Sequence, residues 1–188
     1  MIALSTLKYF YLISPKYVES MISENTASQV SRCVSVEYFI VKGHPNVKAT
    51  HSTTFEFTKE NFLTHRGDCI VGISASKALR DFSKEFKDLA RNPSSVIYVI
   101  ILTPNGIADI VFGLGSQELT YDDPVKVIIR KSSYISGNTA VIRANKAAKD
   151  LNRDLINYLK SNNAYAIVVM VAIDLKCFGS LPLTPNLS

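Results

Sequence analysis

Cysteine is scarce in this chain of 188 residues: there are three, Cys33, Cys69 and Cys177, in no CxxC or Cys/His ligand spacing. So sparse and odd a set argues against a structural zinc site and against a disulfide framework, and it suits a reducing cytoplasm. Long apolar runs are missing too. The longest, residues 164–173, falls far short of the roughly 20 residues that a membrane helix needs, and its Val and Ile content suits a buried strand. No membrane span is expected. Residues 1–13 are apolar and aromatic with one lysine, yet residues 14–19 make a poor signal-peptide cleavage site. Residues 1–33 therefore read as an extension outside the core, with Met21 an alternative start. Charge is not concentrated anywhere. The net charge is +5, but residues 1–104 hold twelve Lys/Arg against nine Asp/Glu, and residues 105–188 hold nine against seven. A typical nucleic-acid binder shows a basic stripe or tail instead. Finally, Gly113-Leu114-Gly115-Ser116-Gln117 lacks the third glycine of GxGxxG, and no Walker lysine occurs. No cofactor and no metal are expected.

What the chain does contain is one segment written twice. Ile73-Ser74-Ala75-Ser76-Lys77-Ala78-Leu79-Arg80-Asp81-Phe82 returns 69 positions later as Ile142-Arg143-Ala144-Asn145-Lys146-Ala147-Ala148-Lys149-Asp150-Leu151. The register continues without a gap through Leu89 against Tyr158 and into residues 96–102 against 165–171. A supersecondary unit built twice usually packs against itself. Strands are expected at 34–41, 47–57, 69–74 and 95–102, then at 108–112, 125–129, 139–143 and from Ala164 onward, with Pro104-Asn105-Gly106 dividing the halves. Before the last strand of each half lies an amphipathic helix. Leu79, Phe82, Phe86 and Leu89 follow i, i+3, i+7, i+10, which predicts about four turns capped by Ser76, with Asn145 the equivalent cap. The predicted fold class is α+β: two pseudo-symmetric strand-strand-strand-helix-strand halves, 34–104 and 105–174, in a single domain. The strand-helix-strand portions should be right-handed crossovers between parallel strands, giving one mixed sheet or a distorted barrel with helices outside. Residues 175–188 read as a frayed tail.

The chemistry-bearing residues support more than one use. Lys77 and Lys146 directly follow the expected caps, where the helix dipole disfavours a cation by roughly 0.3–1 kcal/mol. An anion such as phosphate bound at each helix start would compensate; i,i+4 pairs with Asp81 and Asp150 are the structural alternative. In Thr50-His51-Ser52-Thr53-Thr54-Phe55-Glu56, strand alternation sets His51 and Thr53 on one face and Glu56 on the other. That segment could form a general-base site, a phosphate cradle, or a polar strand face held by hydroxyl hydrogen bonds. The turn Arg66-Gly67-Asp68-Cys69 offers a guanidinium for an anion and a thiol that Arg66 could activate, with His51 or His65 as base. A buried cysteine opening a strand explains the same residues. Aligning Pro124 with Pro45 sets Arg130 opposite His51, matching a histidine with a cation, whereas a catalytic histidine would have no counterpart in its twin.

Gly43-His44-Pro45-Asn46-Val47, Ala49-Thr50-His51-Ser52-Thr53-Thr54-Phe55-Glu56, Arg66-Gly67-Asp68-Cys69-Ile70-Val71-Gly72 and the twin lysine segments together resemble an archaeal family catalogued as domain of unknown function 371. The resemblance spans residues 34–173. It implies a compact mixed α and β fold and a cytoplasmic archaeal protein, and it carries no activity over. Such families often have proline where this chain has His65.

The leading expectation is a binding protein for a small anionic or phosphate-containing ligand, using His51, Thr53, Glu56, Arg66, Asp68, Lys77, Arg130 and Lys146. RNA or single-stranded DNA binding through a sheet face bearing Tyr38, Phe55 and Lys48 is a second class. An enzyme with His51, Glu56 and Cys69 at one site is a third.

Overall fold

The computed structural model describes residues 30–179. The expected N-terminal extension up to residue 29, the alternative start at Met21 and residues 180–188 of the expected tail lie outside the described residues. Eight strands follow one another as β1 (Val34–Lys42), β2 (Thr54–Thr58), β3 (Ile70–Gly72), β4 (Ser95–Leu102), β5 (Ala108–Leu114), β6 (Lys126–Arg130), β7 (Thr139–Val141) and β8 (Tyr165–Asp174). Short helices among the described residues include α1 (Lys84–Ala90), α2 (Arg153–Leu159) and α3 (Leu175–Gly179), and residues 30–33 are also helical. Each half thus has the expected element order. The second expected strand is cut to its last residues, since Ala49 takes a left-handed φ of 49° that no strand tolerates.

The strands form two sheets rather than one, and no barrel closes. The first sheet runs β1-β8-β4-β5 and is antiparallel throughout. The second runs β3-β2-β6-β7, with a central antiparallel pair flanked by parallel partners. Single bridges, Lys42 to Ile73 and Leu114 to Ile142, join the sheets at both edges. They go no further because the next residues, Ser74 and Arg143, have φ near 49° and 50° and turn the chain away. The expected parallel crossovers are absent for the same reason: β3 and β4, like β7 and β8, lie in different sheets.

One core fills the space between the sheets. Alternation in β2 turns Phe55 and Phe57 inward, where they meet Phe39 of β1 and the inward residues of β4, β6 and β8. Phe86 of α1 and Leu155 and Leu159 of α2 join this same cluster. α1 therefore packs on the inner side of β1, β4 and β8, while α2 starts at inward Asp109 and contacts β3, so neither lies outside as expected.

The expected four-turn helix is also broken. Leu79–Asp81 and Ala148–Asp150 are single 3-10 turns, closed by Asp81 and Asp150 accepting the backbone N–H of Ala78 and Ala147. Phe82 and Leu151 are then extended, and each α-helix starts afresh. Its caps are Ser83, whose hydroxyl accepts from the Phe86 N–H, and Asn152, whose side chain accepts from the Asp154 N–H. Ser76 and Asn145 instead serve strand edges. Ser76 exchanges hydrogen bonds with the backbone of Ile40, and Asn145 does so with Phe112.

Two cysteines expected to be unpaired form a disulfide. Cys33, fully buried, is joined to Cys177 of α3, whose first turn is capped by Asp174 accepting the N–H groups of Lys176 and Cys177. The argument for a reducing compartment loses that support.

Candidate functional site

Lys77 and Lys146, the expected centres of an anion site, already hold anions supplied by the chain. Lys77 Nζ lies 2.7 Å from Glu37 Oε2, and the other oxygen of Glu37 accepts the Ser83 N–H at 2.6 Å. Lys146 pairs with Asp109 in the same way, and Asp109 accepts the Asn152 N–H at 2.7 Å. Each buried carboxylate thus occupies a helix start. Burial alone would raise the Glu37 carboxyl, but the Lys77 and Ser83 hydrogen bonds outweigh it and hold it below its ordinary value. The i,i+4 alternative is not formed either. Asp81 pairs with Lys59 at 3.0 Å and Asp150 with Lys131 at 2.9 Å.

The other expected residues gather on or beside the outward face of the second sheet. Glu56, at its centre, is 4% exposed. Lys126 Nζ stands 3.2 Å from its Oε1, an ion-pair distance without hydrogen-bond alignment, so Oε1 has no aligned donor. Its Oε2 accepts from the Cys69 thiol at 3.8 Å. Burial pushes the Glu56 carboxyl up despite Lys126. Burial, with Glu56 and Asp68 adding, pushes the Cys69 thiol up to about 11, away from the thiolate that a nucleophile needs. Arg66 is exposed and is not among the groups acting on that thiol. Asp68 contributes its backbone carbonyl, which accepts the N–H groups of Thr50 and His51.

His51 and Arg130 become neighbours, because Arg130 pairs across the β2–β6 ladder with Thr54. His51 Nδ1 accepts the N–H groups of Thr53 and Thr54 at 3.3 and 3.1 Å, which assigns the proton of the neutral ring to Nε2. Arg130 donates to Thr139, Ser136 and Asn138 and stacks on Tyr134 at 5.0 Å. Four backbone bonds knit the surrounding corner: Lys131 N–H to Thr53 O, Lys149 N–H to His51 O, Ala144 N–H to Arg130 O and Arg143 N–H to Ser132 O. Lys131, Arg143 and Lys149 therefore stand beside Arg130, a grouping not anticipated from sequence.

The opposite end of β2 and β6 is knitted by the corresponding four bonds: Lys59 to Val125, Arg80 to Asp123, Ala75 to Thr58 and Ser74 to Glu60. His51 O accepts from Lys149 at the first corner where Asp123 O accepts from Arg80 at the second. The charges differ sharply. The first corner carries Arg130, Lys131, Arg143 and Lys149 against Asp150; the second carries Lys59, Arg80 and Lys126 against Glu60, Asp81, Asp122 and Asp123.

The other expected sites do not assemble. Tyr38 lies on the outward face of the first sheet, Phe55 is buried in the core, and Lys48 Nζ is bound to the His65 carbonyl, so no nucleic-acid face unites them. Among the described residues no group of His, Cys, Asp and Glu is placed to hold a metal ion, and no helix is long and apolar enough to cross a membrane.

Fold and site define a mixed α and β domain of two four-stranded sheets with a polar outward face on the second. The chain belongs to the family described as Domain of unknown function (DUF371), whose profile matches residues 39–172. The uncharacterised protein MJ0206 of the archaeon Methanocaldococcus jannaschii is 44% identical over 137 residues, which cover 72% of this chain and all of that protein.

Proposed function

We propose that this protein binds a small anionic ligand, not at helix starts but at the corner where β2 begins and β6 ends. The observation that carries the reading is the contrast between two corners of like backbone construction, of which one has gathered four cations against a single carboxylate. Arg143 strengthens it. A long side chain at φ 50° is strained, and this one is exposed and makes no hydrogen bond or ion pair with a described residue. His51 adds an Nε2 proton, and Thr53 a hydroxyl, at the same edge.

The same contrast supports reading the chain as two copies of one unit in a single domain. Strand orders β1-β8-β4-β5 and β3-β2-β6-β7 each map onto their own reverse when the halves are exchanged. Glu37–Lys77 and Asp109–Lys146 correspond, as do Ser74 and Arg143 at positive φ. On this reading one copy kept an acid-balanced corner and the other became basic.

A thermal-shift panel of inorganic phosphate, pyrophosphate and mononucleotides at constant ionic strength tests the function. Phosphate-bearing members should raise the melting temperature, as expected when a ligand binds only the folded state. Lys149→Gln should abolish the rise. A rise matched by chloride, or none across the panel, would contradict it.

A further inference from the structure

The outward face of the first sheet is almost wholly apolar and largely uncovered by the described residues, with the Lys77 ammonium 5.4 Å over the ring of Tyr38 at its β1 edge. Its side chains are the even-numbered residues of β1, β4 and β5 and the odd-numbered residues of β8. Of these eighteen positions, seventeen are apolar, and the exception, Lys42, sits at the end of the edge strand β1. Among the described residues, eight of the eleven large hydrophobic side chains that are exposed lie here, among them Tyr38 (65%), Ile110 (52%) and Phe112 (48%). Taken as half exposed, at roughly 200 Å² for each of the three aromatics and somewhat less for each of the five aliphatic side chains, those eight present on the order of 700 Å² of apolar surface. The largest patch on a typical monomer is only ~300–600 Å². A standard protein interface takes ~800 Å² from each partner.

We infer that this face binds a second copy of the chain, sheet against sheet, in a twofold dimer. Three observations favour a copy. The area is close to what one side of a stable interface needs. Charge is confined to the β1 edge of the face, where Lys42 lies and Lys77 sits over Tyr38, so the same patch can meet itself with these lysines at the rim. At both edges of the sheet, backbone groups that could add a strand are taken: Ile40 by Ser76 and Phe112 by Asn145. That directs a partner to the face rather than to those stretches of edge. Residues 1–29 are not needed to build this core, since the family profile begins at residue 39 and the relative matched over its whole length has 137 aligned residues.

Sedimentation equilibrium of the full chain at micromolar concentration, with and without anionic phospholipid vesicles, decides the matter. The expected mass is twice the 20.8 kDa of one chain. Val36→Lys and Ile110→Lys, at positions already half exposed and so compatible with folding, should each give a monomer with unchanged circular dichroism. If one variant fails to fold, the other still decides. A monomeric wild type overturns the proposal, whether residues 1–29 or a vesicle then covers the face. So does a dimer that survives both substitutions.

Discussion

A lysine just after a helix cap is electrostatically out of place, and Lys77 and Lys146 escape that conflict because the helices start later and the lysines face buried carboxylates. Glu37 and Asp109 are thereby the pivots of the two halves. Lys77→Met should cost about 1–3 kcal/mol in denaturant unfolding at neutral pH, because it leaves Glu37 buried without its cation. The sign of the pH dependence follows from the direction of the shift. Glu37 is held below its ordinary 4.5, so its contribution is complete above that pH and fades as pH falls through the lower folded value. The Lys77→Met deficit should therefore shrink in acid, and a deficit constant from pH 7 to 3 would exclude Glu37 as its source. Arg143→Asn makes the opposite case. Asparagine tolerates the left-handed region, so the variant should match or slightly exceed wild type in stability while losing phosphate stabilisation.

At the scale of elements, Ser83 should matter as a helix cap and Ser76 should not. Ser83→Ala is expected to cost about 1 kcal/mol by loss of the cap, read as a lowered denaturation midpoint with an unchanged slope. Equal stability would mean that α1 is held by burial of Phe86 and Ala90 alone. Gly115→Ala should be worse, about 1–3 kcal/mol, since a Cβ there would overlap the carbonyl oxygens of Ala90 and Asn92 at the end of α1. The order of elements was legible in the sequence because alternation in β1, β4 and β5 and the Pro104-Asn105-Gly106 turn are local signals. Helix extent was not. A 3-10 turn, two extended residues and a new helix keep Leu79, Phe82 and Phe86 on the buried side just as a continuous helix would, so apolar spacing cannot tell them apart. The break is encoded in Asp81 folding back onto the Ala78 N–H and in Ser83, two residues whose capping signal competes with the more visible Ser76. Partnership between strands was hidden for a different reason. That His51 and Arg130 share a corner depends on β2 pairing antiparallel with β6 from the other half, a contact some 70 residues away.

For the whole molecule, the disulfide ties the start of β1 to the helix after β8, closing a sequence separation of 144 residues. Chain-entropy reasoning gives such a closure up to about 5 kcal/mol. Cys177→Ser, or the wild type under reductant, should unfold at distinctly lower temperature, and unchanged melting would show that β1 and β8 hold the ends unaided. The two sheets differ in their outward faces: the first is apolar, the second polar with one cationic corner.

That corner is tested most directly by isothermal titration of inorganic phosphate into the wild type, Arg143→Asn and Arg80→Gln at matched ionic strength. The prediction is saturable binding to the wild type, undiminished by Arg80→Gln at the acid-balanced end and lost in Arg143→Asn. Binding that survives Arg143→Asn, or that disappears equally in Arg80→Gln, would contradict the assignment.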